Sequence, residues 1–381
     1  MAVGPFGRTA GTPLSIDDDV TVEDVTVELD VSELAVELRR WLAAGTQMPS
    51  GAIAAWLDHE SGRPAFEYPE ISGYALTHFA GSPAQGDRHM FEFATGLRTA
   101  AWLMNLIDDG RLAAREGWDD HAVYNFDLAM IANGLMVFGL RLEQDRLVEH
   151  GLSLVSCLAQ QLERYGHLPS IDQGTSPVSQ RSAWSTEGFA HLVKVAQCML
   201  MAAELGLDSA RDAASAVVSK GLAGQQPDGR IVTHPADDVT MLHPHLYAVE
   251  GLWVYGMATG NDEALSRARL AVEWVDRQKL PNGGLPRFAM TSDGRRGPEQ
   301  CDVTAQFLRA AKLTGFKGDV SSTARRLCSV SVPIAGLGRA MPYQPGTPTV
   351  HRNVWASMFA AQGCEVLSCT SSPSLNWRYL V

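Results

Sequence analysis

The chain has 381 residues, 45% hydrophobic and 19% charged, a balance that buries a large core and argues against disorder over most of its length. Its formal net charge of −12 comes without a run or stripe of Lys and Arg, which removes nucleic acid from the expected partners and leaves a small molecule. The first residues lack a basic segment followed by an apolar run, and no stretch reaches the ~18 apolar residues that span a bilayer, so the expected location is the cytoplasm, with no membrane span.

Residues 1–30, rich in Gly, Pro, Thr and Asp, read as a loosely held arm, and residues 31–381 as one domain. Cys157, Cys198, Cys328, Cys364 and Cys369 sit in or beside helical patterns without a compact disulfide framework, so reduced thiols are expected. From about residue 50 one unit recurs six times: an amphipathic helix, a Gly/Pro turn, a polar-aromatic entry, then a helix rich in small residues. The turns are SGRPAF at 61–66, REGWDDH at 115–121, GHLPSIDQG at 166–174, QPDGRIV at 226–232, PNGGLPRF at 281–288 and GLGRAMPY at 336–343. In each, Gly supplies unusual backbone angles or Pro blocks helix continuation.

The helices after these turns open with YPEISGY, YNFDLAM, AWSTEGF, HPHLYAVEGL, CDVTAQFL and HRNVWASMF and continue in Ala, Gly, Leu and Met. Apolar on all sides, they read as an inner layer. The preceding helices, such as ALSRARLAVEWVDRQ, carry charge on one face and read as an outer layer. The matched points Glu70, Asp127, Glu187, Tyr247, Asp302 and Asn353 recur at roughly 50–60 residues, one helical hairpin plus a loop. Neither end carries a polar capping repeat, so closure into a ring, an all-α (α/α)6 toroid, fits better than an open solenoid.

In such a ring the residues opening the inner helices converge on one mouth. Carboxylates and imidazoles gathered there suit proton transfer, and aromatic rings between them suit stacking on a sugar-like ligand. The expected catalytic set is Asp127, Glu187 and Asp302, with His245 as proton-transfer partner. The expected substrate-binding set is Glu70, Tyr68, Tyr124, Trp184, His243, Tyr247, Glu250, His351, Asn353 and Trp355. Two plainer readings stand beside these: acidic residues at helix starts cap free N–H groups and complement the helix dipole, and aromatic residues fill wide hairpin cores. For the His243-Pro244-His245 pair, acid–base work, metal binding, anion binding and structural burial all remain open, with Glu250 placed to orient an imidazole.

The alternation of RQKLPNGGLPRF and GQQPDGRI with inner helices resembles the prenyltransferase and squalene-cyclase repeat family, whose members are α/α toroids. YPEISGY, DVTAQFLR and HRNVWASMFAAQ are similar to a bacterial branch of such toroids associated with polysaccharide or secondary-metabolite biosynthesis. The resemblance covers roughly residues 50–370 and bears on fold more than on reaction. The chain departs from the cyclase pattern in lacking a DxDD motif, and its acidic cluster Asp17, Asp18, Asp19 lies in the arm. Similarity to protein prenyltransferase β subunits implies that zinc, if any cofactor is used, would be held by Glu299, Cys301 and His351, with Gln306 matching the helix that follows.

The leading expectation is an intracellular biosynthetic enzyme performing hydrolysis, epimerisation or elimination on a sugar-like or other polar small molecule. An isoprenoid enzyme is the alternative, with Trp184, Trp253 and Trp355 facing carbocations and Arg287, Arg295 and Arg296 binding diphosphate. A non-catalytic binding toroid is the third. Oligomeric state is not legible from the sequence.

Overall fold

Apolar positions dictate two kinds of helix. In the computed structural model, which describes residues 30–83, 87–112, 122–172, 185, 188–233, 238–346, 351–369 and 375–381, the helices α2 (Pro69–Ala80), α4 (Asn125–Leu142), α8 (Leu242–Thr259), α10 (Cys301–Leu313) and α12 (Val354–Ser368) are buried on nearly every side. A 3-10 segment, Ala190–Val195, running directly into α6 (Ala196–Glu204), completes this inner set. By contrast α5 (Asp145–Tyr165) buries Leu147, Gly151, Leu154, Val155, Leu158 and Ala159 along one stripe, the mark of a helix with one wet face. It lies outside, with α1 (Val31–Gly45), α3 (Asp87–Asp108), α7 (Ser209–Ala223), α9 (Asp262–Asp276) and α11 (Ser321–Val330).

The inner elements touch in chain order, α2 to α4, α4 to the 3-10 segment and α6, these to α8, α8 to α10 and α10 to α12, and α12 returns to α2, so the layer closes on itself. Close approach requires missing side chains: a Cβ on Gly134 of α4 would sit 2.2 Å from the Gly73 carbonyl oxygen of α2. The amphipathic outer helices cover this ring, and the core is one cluster running through both layers.

Local signals start and stop the helices. Pro69 occupies the first turn of α2, and Gly166 ends α5 at φ 70°, where a side chain would be strained. Asn261 caps α9 by accepting from the Ala264 N–H at 2.9 Å, and Asn353 caps α12 by accepting from the Ala356 N–H at 2.8 Å.

The loops from outer to inner helices are more ordered than their Gly and Pro content implies. They form short antiparallel strands: β1 (Trp56–Asp58), β2 (Val239–Met241), β3 (Phe288–Met290), β4 (Val332–Ile334), β5 (Gly338–Pro342) and β6 (His351–Asn353). β2 pairs with β3, and the others form a sheet in the order β1-β6-β5-β4. In that sheet Trp56 lies opposite Asn353 and Asp58 opposite His351, so the first and last such loops are stitched together across the ring. The all-helical expectation needs this amendment at the mouth. No helix among the described residues is long and apolar enough to cross a membrane, and all six cysteines are free thiols.

Candidate functional site

The loops and the N-termini of the inner helices surround a cavity of about 450 Å³. It falls in the size range of small-ligand sites. The second residue of each inner element lines it: Glu70 on α2, Phe126 on α4, His191 on the 3-10 segment, His243 on α8, Asp302 on α10 and Trp355 on α12. A helix turns about 100° per residue, so one register position comes to the axis in every inner element; on α2 its neighbour Ile71 lines the cavity as well. Tyr68, Tyr124, Tyr247 and His351 also line the cavity.

At the centre is Asp302. Its Oδ2 accepts from Trp355 Nε1 at 3.1 Å and Gln300 Nε2 at 3.0 Å, and lies 3.6 Å from His243 Nδ1. The same Gln300 amide donates to the Tyr343 hydroxyl at 2.9 Å. One wall is aromatic: the Trp56 and Tyr343 rings lie 4.8 and 5.5 Å from the His351 ring, and both pack edge-on against Trp355. Across the cavity Phe126, Tyr247 and His243 pack in series, at 4.8 and 4.4 Å.

Beneath His243 the polar contacts dictate a proton's position. Lys194 Nζ and Arg309 Nη2 pair with the two oxygens of Glu250, the lysine at 2.5 Å. Burial opposes the Glu250 charge, but the arginine and lysine outweigh it and hold its carboxyl below the ordinary value. An ionised carboxylate only accepts, so Gln306 turns its NH2 toward Glu250 Oε1, at 3.5 Å. The Gln306 carbonyl oxygen is then left facing His243 Nδ1 at 2.6 Å, which requires the proton on Nδ1 and leaves Nε2 with its lone pair.

Burial lowers the His243 pKa below its ordinary value, opposed by Asp302, and burial does the same at His351, again with Asp302 opposing. Both imidazoles are therefore neutral at pH 7. Burial pushes the Tyr247 phenol far up, with the Glu70 carboxylate adding to it, so that hydroxyl stays protonated.

Other sequence expectations move. His245 does not reach the cavity: two residues along α8 it turns to the outer layer, where Nδ1 accepts from the Ile231 N–H, Nε2 meets the Ala271 carbonyl, each at 3.2 Å, and the ring packs on Trp274. Burial lowers its pKa to about 4, so it is a neutral structural histidine. Asp127, third in α4, is half-buried and also lies outside the lining, Asn353 serves as a helix cap, and Glu250 lies below the cavity between its two cations. Glu187 and Trp184 lie outside the described residues, as do residues 1–29.

The zinc set does not assemble. The Glu299 carboxylate is bidentate on Arg326, both contacts at 2.8 Å, and also accepts from Asn282. Burial, with Asp302 and Glu299 adding to it, pushes the Cys301 thiol far above its ordinary value, the opposite of what a thiolate ligand needs. Among the described residues no three His, Cys, Asp or Glu side chains form a metal-holding group. The basic trio also disperses: Arg287 lines the cavity, Arg295 pairs with Asp293, and Arg296 donates to the Arg277 carbonyl.

Sequence reasoning missed Trp56, Phe66, His191 and Tyr343. Phe66 and Tyr343 close the turns SGRPAF and GLGRAMPY, so an aromatic residue ending the turn was the available signal.

No protein-family model and no curated protein matches the chain. Solved structures do. A sugar epimerase from a ruminal bacterium superposes with a TM-score of 0.69 at 9% identity, covering 88% of this chain and 97% of that one. Cellobiose 2-epimerase from Bacillus thermoamylovorans B4167 gives 0.69 at 10%, over 88% and 98%, and unsaturated glucuronyl hydrolase from Bacillus sp. GL1 gives 0.62 at 12%, over 88% and 95%. The fold is an α/α toroid. At such identities the toroid likeness speaks for the fold alone, and the prenyltransferase and squalene-cyclase resemblance rests on sequence motifs only.

Proposed function

We propose that the toroid is an enzyme of acid–base chemistry on a sugar-like ligand, with His243 and His351 as the proton-transferring pair and Asp302 between them. The observation that carries this reading is the Asp302 carboxylate, fixed by Trp355 and Gln300 within reach of His243, inside a cavity walled by Trp56, Tyr343 and Trp355. A neutral His243 with its proton on Nδ1 presents Nε2 as the base that takes a proton from carbon or from water, and Asp302 stabilises the imidazolium that forms. His351, in the aromatic wall, is a donor on the side of a stacked ring opposite His243, and the un-ionised Tyr247 is a donor beside His243. The role expected of His245 thus passes to His243, and Glu70 supplies a second carboxylate at the same mouth.

That named structural neighbours include sugar epimerases and a glucuronyl hydrolase supports the substrate class without choosing the reaction. Incubation with a panel of reducing and uronic sugars in D2O, followed by NMR, separates the choices. Deuterium beside the carbonyl indicates epimerisation, new reducing ends indicate hydrolysis, and a new double bond indicates elimination. Failure of every sugar in the panel to bind or react would overturn the proposal.

A further inference from the structure

The axis of the ring opposite the cavity mouth is filled by a stretch of chain, Leu375–Val381, with Leu380 and Val381 buried to 1% and 0% exposure. Side chains from the inner elements converge on its backbone. Gln197 of α6 donates to the carbonyls of Trp377, Arg378 and Leu380 at 3.0, 3.2 and 2.9 Å, and Asn133 of α4 donates to Arg378 at 3.2 Å. Gln362 of α12 donates to the Tyr379 carbonyl at 2.7 Å.

Both cations that neutralise Glu250 are tied to the last residue of this stretch. Lys194 Nζ, 2.5 Å from Glu250, also donates to the Val381 carbonyl at 2.9 Å. Arg309 donates to Gln362 Oε1 at 2.9 Å, and that oxygen also accepts from the Val381 N–H at 3.2 Å. Glu250 in turn sets the amide of Gln306, and Gln306 sets the proton on His243.

We infer that Leu375–Val381 is a positioning element of the acid–base site: by holding Lys194 and Arg309 on Glu250, it fixes the tautomer of His243 through Gln306. The side chains facing His243 or its relay include Asp302, Gln306 and Arg309 on α10, Tyr247 and Glu250 on α8, Phe359 on α12 and Lys194 on the 3-10 segment. Among them Asp302 is the competing tautomer-setter, since it too approaches Nδ1. The inference rests on the role given to His243, but its test does not need a substrate.

The test is long-range proton–nitrogen NMR on protein labelled at histidine nitrogen, comparing the full chain, a deletion of Leu380 and Val381, Lys194→Met and Gln306→Leu. His243 in the full chain should carry its proton on Nδ1, and each of the three variants should shift it to a mixture of tautomers. Once a substrate is known, the same variants should lose about 10-fold in kcat with KM little changed, the scale of a lost supporting partner. Where the deletion does not fold, Lys194→Met is read in its place, since it keeps the segment. If the deletion or Lys194→Met lowers Tm while His243 keeps its proton on Nδ1, the segment is only packing. If Gln306→Leu leaves the tautomer unchanged, Asp302 sets it and the inference fails. A normal tautomer response together with no activity on any sugar would instead overturn the proposed reaction and leave the relay standing.

Discussion

The two ends of the ring axis are built from the same inner elements but treat polar groups in opposite ways. At the far end, Gln197, Gln362 and Lys194 spend their donors on the carbonyls of Trp377–Val381, so amides and chain lock each other. At the mouth, buried polar atoms such as His351 Nδ1 and Gln300 Oε1 have no hydrogen-bond partner, whereas the unmet atoms at the far end, Asn133 Oδ1 and Arg309 Nε, belong to side chains whose other nitrogens are tied to the segment or to Gln362. Unmet polar atoms cost stability and persist where a ligand or reaction uses them. The contrast separates an end that holds the fold from an end that is open to chemistry.

The sharpest way to break that contrast is to remove the group joining the two ends. Glu250→Ala leaves Lys194 and Arg309 as buried, uncompensated cations, and should cost about 3–5 kcal/mol in denaturant unfolding. A loss below about 1 kcal/mol would mean that water reaches the pair.

Acid should act on the packed layers through their buried histidines. The His245 pKa falls from 6.5 to about 4 on burial, and that of His78 lies well below its ordinary value, again through burial first and then nearby Arg39. Between those folded values and 6.5 the unfolded chain binds more protons, so stability is complete above pH 6.5 and is lost as pH falls toward 4. His245 alone contributes on the order of 3 kcal/mol to that loss. Tm measured across this range should fall, and His245→Gln should flatten the slope.

Asp302→Asn tests the mouth itself. Turnover of a responsive sugar should drop about 100-fold or more, the scale of a lost acid–base group, while the helical spectrum is kept. The smallest effect is expected at Asp127→Asn, one residue off the lining position, where stability should change by no more than about 0.5 kcal/mol and turnover by little. A loss at Asp127 comparable to that at Asp302 would place the chemistry on another face of α4.

What the sequence made legible follows this geometry. The layers were readable because an inner helix must be apolar all round and an outer one striped, and this pattern survives in composition alone. The site was readable to within a turn. Glu70 and Asp302 were matched at the second residue of their helices and line the cavity, whereas the matched points Asp127, Tyr247 and Asn353 sit at other positions of their repeats. The equivalent residues there are Phe126, His243 and Trp355, and in the repeat of Glu187 the lining residues are Ser185 and His191. A periodic pattern locates a helix well and its first residue poorly, yet one residue is about 100° of rotation. The difference between His243 and His245 was two such steps, about 200°. Trp56 and Tyr343 were less visible still, because β-pairing between distant loops brings them to the wall.

The pairing of β1 with β6 also sets a schedule. Trp56 and Asn353 are partners across about 300 intervening residues, a closure whose entropy is met only after nearer contacts have formed. While the chain is being synthesised, hairpins behind the ribosome can fold locally, but the wall holding Trp56 against His351 cannot exist until β6 has emerged. A stalled or prematurely released nascent chain therefore carries most of the helices and none of the finished pocket.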